Sequence, residues 1–175
     1  MLCTIKLHYI KASFKSSIQS KDYIARCFTK RKNILIGFSP SLKHVKITLM
    51  GKNMQYVNLT GAKSLTEVNL VFNEYILNSK SITISYPRVD SISAGCKFNR
   101  RRLFSFEDCR VNLSTAGFIV NDHSIFNGVT IRKRDDSRKV CTLFQTGSLN
   151  FIGFKHYNEI SEMNVLILKC ILKTI

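Results

Sequence analysis

Two adjacent carboxylates, Asp135 and Asp136, stand in the stretch RKRDDSRK. Paired acids are the residue type that could hold a divalent cation for hydrolysis, but such a site would draw further acids from distant strands. Five basic residues flank this pair, so the plainer reading is a charged hairpin loop that neutralises itself. No G-x-x-x-x-G-K-[ST], G-x-G-x-x-G, H-E-x-x-H or G-x-S-x-G occurs, which leaves no phosphate cradle, zinc protease site or nucleophile elbow to build an enzyme on. Six cysteines, at 3, 27, 96, 109, 141 and 170, form no C-x-x-C pair, and the nearest two are 13 positions apart. Neither a zinc ribbon nor a dense disulfide scaffold fits that spacing. Buried reduced thiols in an intracellular protein are the expected state. The four histidines lack H-x-x-x-H spacing, so no metal or other cofactor is expected, and no enzymatic activity.

The chemistry that the composition does offer is electrostatic. Lys and Arg number 27 against 11 acids, a formal charge of +16 with a pI near 9.9. A polyanionic partner accounts for holding that excess against self-repulsion, with nucleic acid the leading class and a membrane surface or an acidic protein behind it. The bland alternative is a solvated basic surface in a chain rich in Lys, Asn and Ile. The most apolar stretch, MNVLILKCIL, is interrupted by Lys169 and falls short of the roughly 18 apolar residues that a membrane span needs. The acid-free first 21 residues superficially suit a targeting presequence. However, LCTIKLHYI alternates as a strand does. A soluble chain of 175 residues, 45% apolar, is expected, sized for one core or two small fused ones.

The elements that would position basic and polar side chains occur twice. LCTIKLHY alternates as a strand, SSIQSKDYIARCF suits a helix, and NILIGF, HVKITLM and MQYVNLTG are strand-like, with GKN turning the chain between the last two. Ser64 and Glu67 then form a capping box before Val68, Val71, Phe72, Tyr75 and Ile76, one apolar stripe along a helix. The second half follows the same order: VDSISAGCKF, a short helix capped by Ser105 and Asp108, GVTIRK, KVCTLFQ and LNFIGF. Ile160, Met163, Ile167 and Ile171 give the closing helix its stripe. NLTGAKSLTE and NFIGFKHYNE match at Asn58 and Asn150, Gly61 and Gly153, Lys63 and Lys155, Glu67 and Glu159, an offset of 92 each time. A second echo, ITLMGKN against CTLFQTGSLN, is offset by 94. An internal duplication is expected, with repeats over approximately 1–84 and 85–175 of a single domain 1–175. Two copies are too few for a solenoid, so they should fuse into one sheet carrying helices on one face. Its other face would be open for binding.

TGAKS at 60–64, SIFNGVTIRKRDDSRKVCTLFQTGSLNFIGFK in the second half and SAGCKF at 93–98 resemble the TATA-box-binding proteins. The resemblance runs from the first strand to the last helix, and only TGAKS is close to specific alone. It implies an α+β fold: two tandem pseudo-symmetric repeats forming one curved antiparallel sheet, a saddle, with helices on the convex face. It implies a monomeric transcription-initiation factor that grips and bends A·T-rich double-stranded DNA from the minor groove, in the nucleus or, for a viral chain, at a cytoplasmic replication site.

Proteins of this kind push large apolar wedges between base steps. By the resemblance Phe126 and Phe144 are the second-half wedges, and Met50 answers Phe144 in the first half. The position answering Phe126 falls near Lys32 or Asn33 and offers no wedge. On the minor-groove floor the resemblance places Asn58, Thr60, Ser91, Ser93, Asn150 and Ile152. Thr60 matches the family outright, whereas Asn58 and Asn150 replace apolar residues, Ser91 an Asn and Ser93 a Val. Lys52, Lys63, Arg132 and Lys155 fall on or near phosphate-holding positions. Asp122 matches one of the acids that engage a general initiation factor, with Ser124 in place of the other. The long helix after Lys63 lacks the family's basic residues, which puts contacts with initiation factors and the polymerase machinery in question. The alternative is a saddle that serves as a protein-docking module without bending DNA.

Overall fold

The computed structural model describes residues 4–17, 20–51, 53–98, 105–123, 125, 127–136 and 138–172. The chain divides into two compact units, one of Tyr9–Ser91 and the other of the residues up to His8 with Ile92 onward.

In the Tyr9–Ser91 unit, β1 (Lys6–Ser17) buries Ile10, Ala12, Phe14 and Ser16 and turns Lys11, Ser13 and Lys15 to the opposite face. The alternation expected up to Tyr9 thus continues through Ser17, and the expected first helix is correspondingly shorter. That helix, α1 (Lys21–Cys27), starts where the Ser20 hydroxyl accepts from the Tyr23 N–H at 3.3 Å. Strands β2 (Phe28–Arg31) and β3 (Ile34–Phe38) form a hairpin, followed by β4 (Lys46–Met50), β5 (Tyr56–Ala62), helix α2 (Leu65–Ser79) and the short β6 (Ile82–Thr83). Pairing is antiparallel throughout, in the order β2-β3-β4-β5-β1, with β6 also pairing β1. Period-2 side chains put Ile47, Leu49, Val57 and Leu59 on the face that α2 covers. There Phe14 meets Phe72 edge to face at 4.9 Å and Tyr75 at 5.6 Å.

The second unit repeats the plan. Strand β7 (Arg88–Lys97) is followed by α3 (Phe106–Thr115), then β8 (Phe118–Asp122), β9 (Gly128–Lys133), β10 (Val140–Phe144), β11 (Ser148–Phe154) and α4 (Tyr157–Leu172). The order β7-β11-β10-β9-β8 mirrors that of the first unit strand for strand. Leu149, Phe151, Leu143 and Ile131 are fully buried, with Ile160, Met163, Ile167 and Ile171 of α4 also buried. Cys96 on β7 donates its thiol to the Asn164 carbonyl on α4 at 3.3 Å, which fixes the helix to this face. Cys109, Cys141 and Cys170 are buried as well, whereas Cys27 is exposed, against the expectation of buried thiols. The fold is α+β with repeated antiparallel sheet and helices on one face, as the sequence implies.

The twice-spelled junction has a mechanical cause. Gly61 and Gly153 sit at φ +106° and +90°, a region that side chains with a Cβ rarely adopt. A Cβ on Gly61 would lie 2.5 Å from the His44 carbonyl oxygen, and one on Gly153 would overlap that of Arg138. In both copies the strand passes directly over the backbone that leads into the neighbouring strand, β4 or β10. Four residues past the Lys, a Glu closes the turn. Glu67 accepts from the Lys63 N–H at 2.7 Å and hydrogen-bonds the His44 ring at 3.0 Å. Glu159 accepts from the Lys155 N–H at 3.2 Å and from Lys139 Nζ at 2.9 Å.

Candidate nucleic-acid interface

In each unit the sheet face away from the helices is uncovered, and the register sorts its side chains into rows. On the second unit Asn150, Thr142, Thr130 and Asn121 run across β11, β10, β9 and β8. Beside them Ile152, Val140, Arg132 and Ile119 make a second row. Phe144, half-buried at the end of β10, lies opposite Gly128. The second-half floor residues Asn150 and Ile152 are therefore neighbours of one face, and Ile152 is 48% exposed. Ser93 shares β7 but is only 5% exposed, so its hydroxyl offers little to a ligand. Arg132 is half-buried, and its Nε atom has no hydrogen-bond partner. No sequence pattern marks His8. Its imidazole occupies the space that a side chain on Gly95 would take, 2.7 Å from the ideal Cβ, with the Asn150 carbonyl oxygen 3.0 Å from the same point. That puts an exposed imidazole beside the Asn150 amide.

On the first unit the rows are Lys11, Thr60 and Lys46; Ser13, Asn58 and Thr48; and Lys15, Tyr56 and Met50. Asn58, Thr60 and Met50 thus share one face, with the Asn58 amide 3.8 Å from the Met50 sulfur. Ser91 is half-buried on β7. Three lysines on this face were missed, although Lys11 and Lys15 alternate with Ala12 and Phe14 in plain view. Lys15 Nζ stands 5.1 Å over the Tyr56 ring, a cation–π contact. Lys32 begins the β2–β3 turn at φ 53° with Asn33 after it, so no large apolar side chain stands at that tip.

Lys63 and Lys155 are exposed at the two strand-to-helix corners. Asp122 is engaged by the Arg110 guanidinium, so a partner there would compete with an ion pair. Asp136 pairs with Lys139 and Arg138, and the Lys139 hydrogen bond foremost, with those from Arg138, holds its carboxyl below the usual carboxylate range. That is the self-neutralising loop. Phe126 and Lys52 lie outside the described residues. Among the described residues no group of three His, Cys, Asp or Glu could hold a metal ion, and no helix is long and apolar enough to cross a membrane.

No protein-family model matches the chain, and no curated protein matches its sequence. Among solved structures it is similar to the Methanococcus jannaschii TBP, with a TM-score of 0.73 over 98% of this chain and 99% of that one, at 20% identity. The fold of the chain is the fold of that protein.

Proposed function

We propose that this non-enzymatic protein is a transcription-initiation factor of the TATA-box-binding type, gripping and bending A·T-rich duplex DNA from the minor groove. The observation that carries the reading is the uncovered row Asn150, Thr142 and Thr130, bordered by Phe144 at a strand end and by Arg132. In the minor groove an A·T pair presents only acceptors, whereas guanine adds an amine that blocks close approach. Amide and hydroxyl donors on an uncovered sheet face suit the first pattern and not the second. A charge of +16 supplies the sequence-independent attraction. Phe144, with Met50 as its first-half counterpart, is the wedge at each strand end, and Lys63, Lys155 and Arg132 neutralise phosphates. On the first unit Asn58 and Thr60, with Ser91, are the proposed floor, on the second Asn150 and Ile152, and Asp122 faces a protein partner. The protein acts as a monomer on DNA.

Initiation factors and the polymerase machinery are the proposed protein partners. What supports a protein contact is α2, which leaves Leu70 and Leu77 exposed two turns apart. Fluorescence-detected bending of a doubly end-labelled TATAAA duplex tests the reading. The wild type should shorten the end-to-end distance, and Phe144→Ala should relax it while leaving the salt dependence of binding unchanged. Steep, equal binding to a G·C-rich duplex with no bending would replace this reading with a docking module held by nonspecific charge.

A further inference from the structure

The first-unit face differs in chemistry from the second. Its three rows contain Lys11, Lys15 and Lys46, and among the described residues none of the three is paired with a carboxylate. Tyr56 is 41% exposed in the last row, and Phe38, opposite Lys46, is 55% exposed. Beyond Lys15 the sheet is bounded by the segment that follows β6. Ile84 and Ser85 donate their N–H groups to the Lys15 carbonyl, at 2.9 and 3.1 Å, and the Ser85 hydroxyl accepts from the Lys15 N–H at 2.8 Å. The result is a groove of about 570 Å³. Met50, Tyr56 and Ile84 supply apolar wall, and Lys15, Asn58 and Arg88 supply polar rim. One acid stands near it, Asp90, and it is held by the Ser13 hydroxyl at 3.0 Å and by Arg88 at 3.5 Å.

We propose that this face binds single-stranded DNA, with one unpaired base in the groove against Tyr56 and its backbone along Lys15, Lys11 and Lys46. Duplex DNA presents base edges, because its base faces are stacked on one another. An exposed ring with Met50 beside it and Ile84 across the groove offers apolar surface that an unstacked base can use. The volume falls in the range of about 300–1,000 Å³ typical of small-ligand sites. The lysines supply the backbone contacts, and Lys15 also stands over the Tyr56 ring.

The test is fluorescence anisotropy with a labelled oligo(dT) of about twelve nucleotides, inside the ~4–16 nucleotide site sizes of such platforms. An A·T duplex is titrated in parallel. Tyr56→Ala should weaken oligo(dT) binding by at least about fivefold, from the stacking worth of one base. Tyr56→Phe should retain it, and Lys15→Gln should flatten its salt dependence. The duplex, most of whose bases stay stacked, should lose less with Tyr56→Ala than oligo(dT) does. Unchanged oligo(dT) affinity in Tyr56→Ala, equal losses on the duplex, or displacement of oligo(dT) by oligoglutamate at equal charge would each overturn the proposal. The two titrations are separate, so this inference can fail with duplex binding intact, and duplex binding can fail with this one intact.

Discussion

Replacing Gly153 by Ala should cost far more stability than replacing Gly117, although both sit at φ +90°. Each substitution forces a Cβ into left-handed backbone, at about 1–2 kcal/mol. At Gly117 nothing lies within 4 Å of the new methyl, so that is the whole cost. At Gly153 the methyl overlaps the Arg138 carbonyl. The backbone entering β10 must move, and overpacking of this kind adds about 1–3 kcal/mol. Gly153→Ala is thus predicted at about 2–5 kcal/mol, a large share of the ~5–15 kcal/mol that holds a domain folded. Thermal unfolding followed by far-ultraviolet circular dichroism should show a Tm drop of about 2–4 °C per kcal/mol for a chain of this size. That is a few degrees for Gly117→Ala and about twice that or more for Gly153→Ala. Equal shifts for the two variants would refute the argument that the junction is repeated because the strand must cross a neighbouring backbone.

The Glu159 carboxylate is held below its ordinary range, chiefly by the Lys139 hydrogen bond. Its contribution is therefore complete above the unfolded-state pKa and is lost as pH falls through the lower folded value, so Glu159→Gln should flatten the acid limb of stability against pH. Burial pushes Tyr23 up to about 12, and its buried hydroxyl has no hydrogen-bond partner. Its contribution is complete below pH 10 and is lost between there and about 12, so Tyr23→Phe should remove that alkaline loss at no cost near neutrality, as read by urea denaturation at pH 7 and pH 11. Lys63→Ala with Lys155→Ala should each lower the slope of log K against log salt by about 0.9 if each neutralises one phosphate of duplex DNA.

Much of this fold was legible because buried faces impose periodicity. The stripe Val68, Val71, Phe72, Tyr75 and the stripe Ile160, Met163, Ile167, Ile171 mark α2 and α4, and the repeated G-x-K-x-x-x-E marks two corners that share one steric problem. Strands β2 and β8 were not legible. Each is the last strand in its unit's order, with one neighbour only, so FTKR and the polar end of FIVND have little pattern to show. The lysines on β1 are hard to read because Ser16 and Ser17 look like loop residues and mask the alternation beyond Tyr9. Phe144 shows the limit of pattern reading. Periodicity puts it on the open face of β10, whereas its role as a wedge comes from the resemblance alone.

The central claim is that the open sheet face reads duplex DNA through the minor groove. Binding to three duplexes of one length, with A·T, G·C or inosine·cytosine pairs at the site, tests it most directly. Inosine lacks the guanine amine, so its pair with cytosine matches A·T in the minor groove while keeping the G·C pattern in the major groove. The account predicts that inosine·cytosine binds like A·T and that both exceed G·C. An inosine·cytosine duplex that binds like G·C would contradict it.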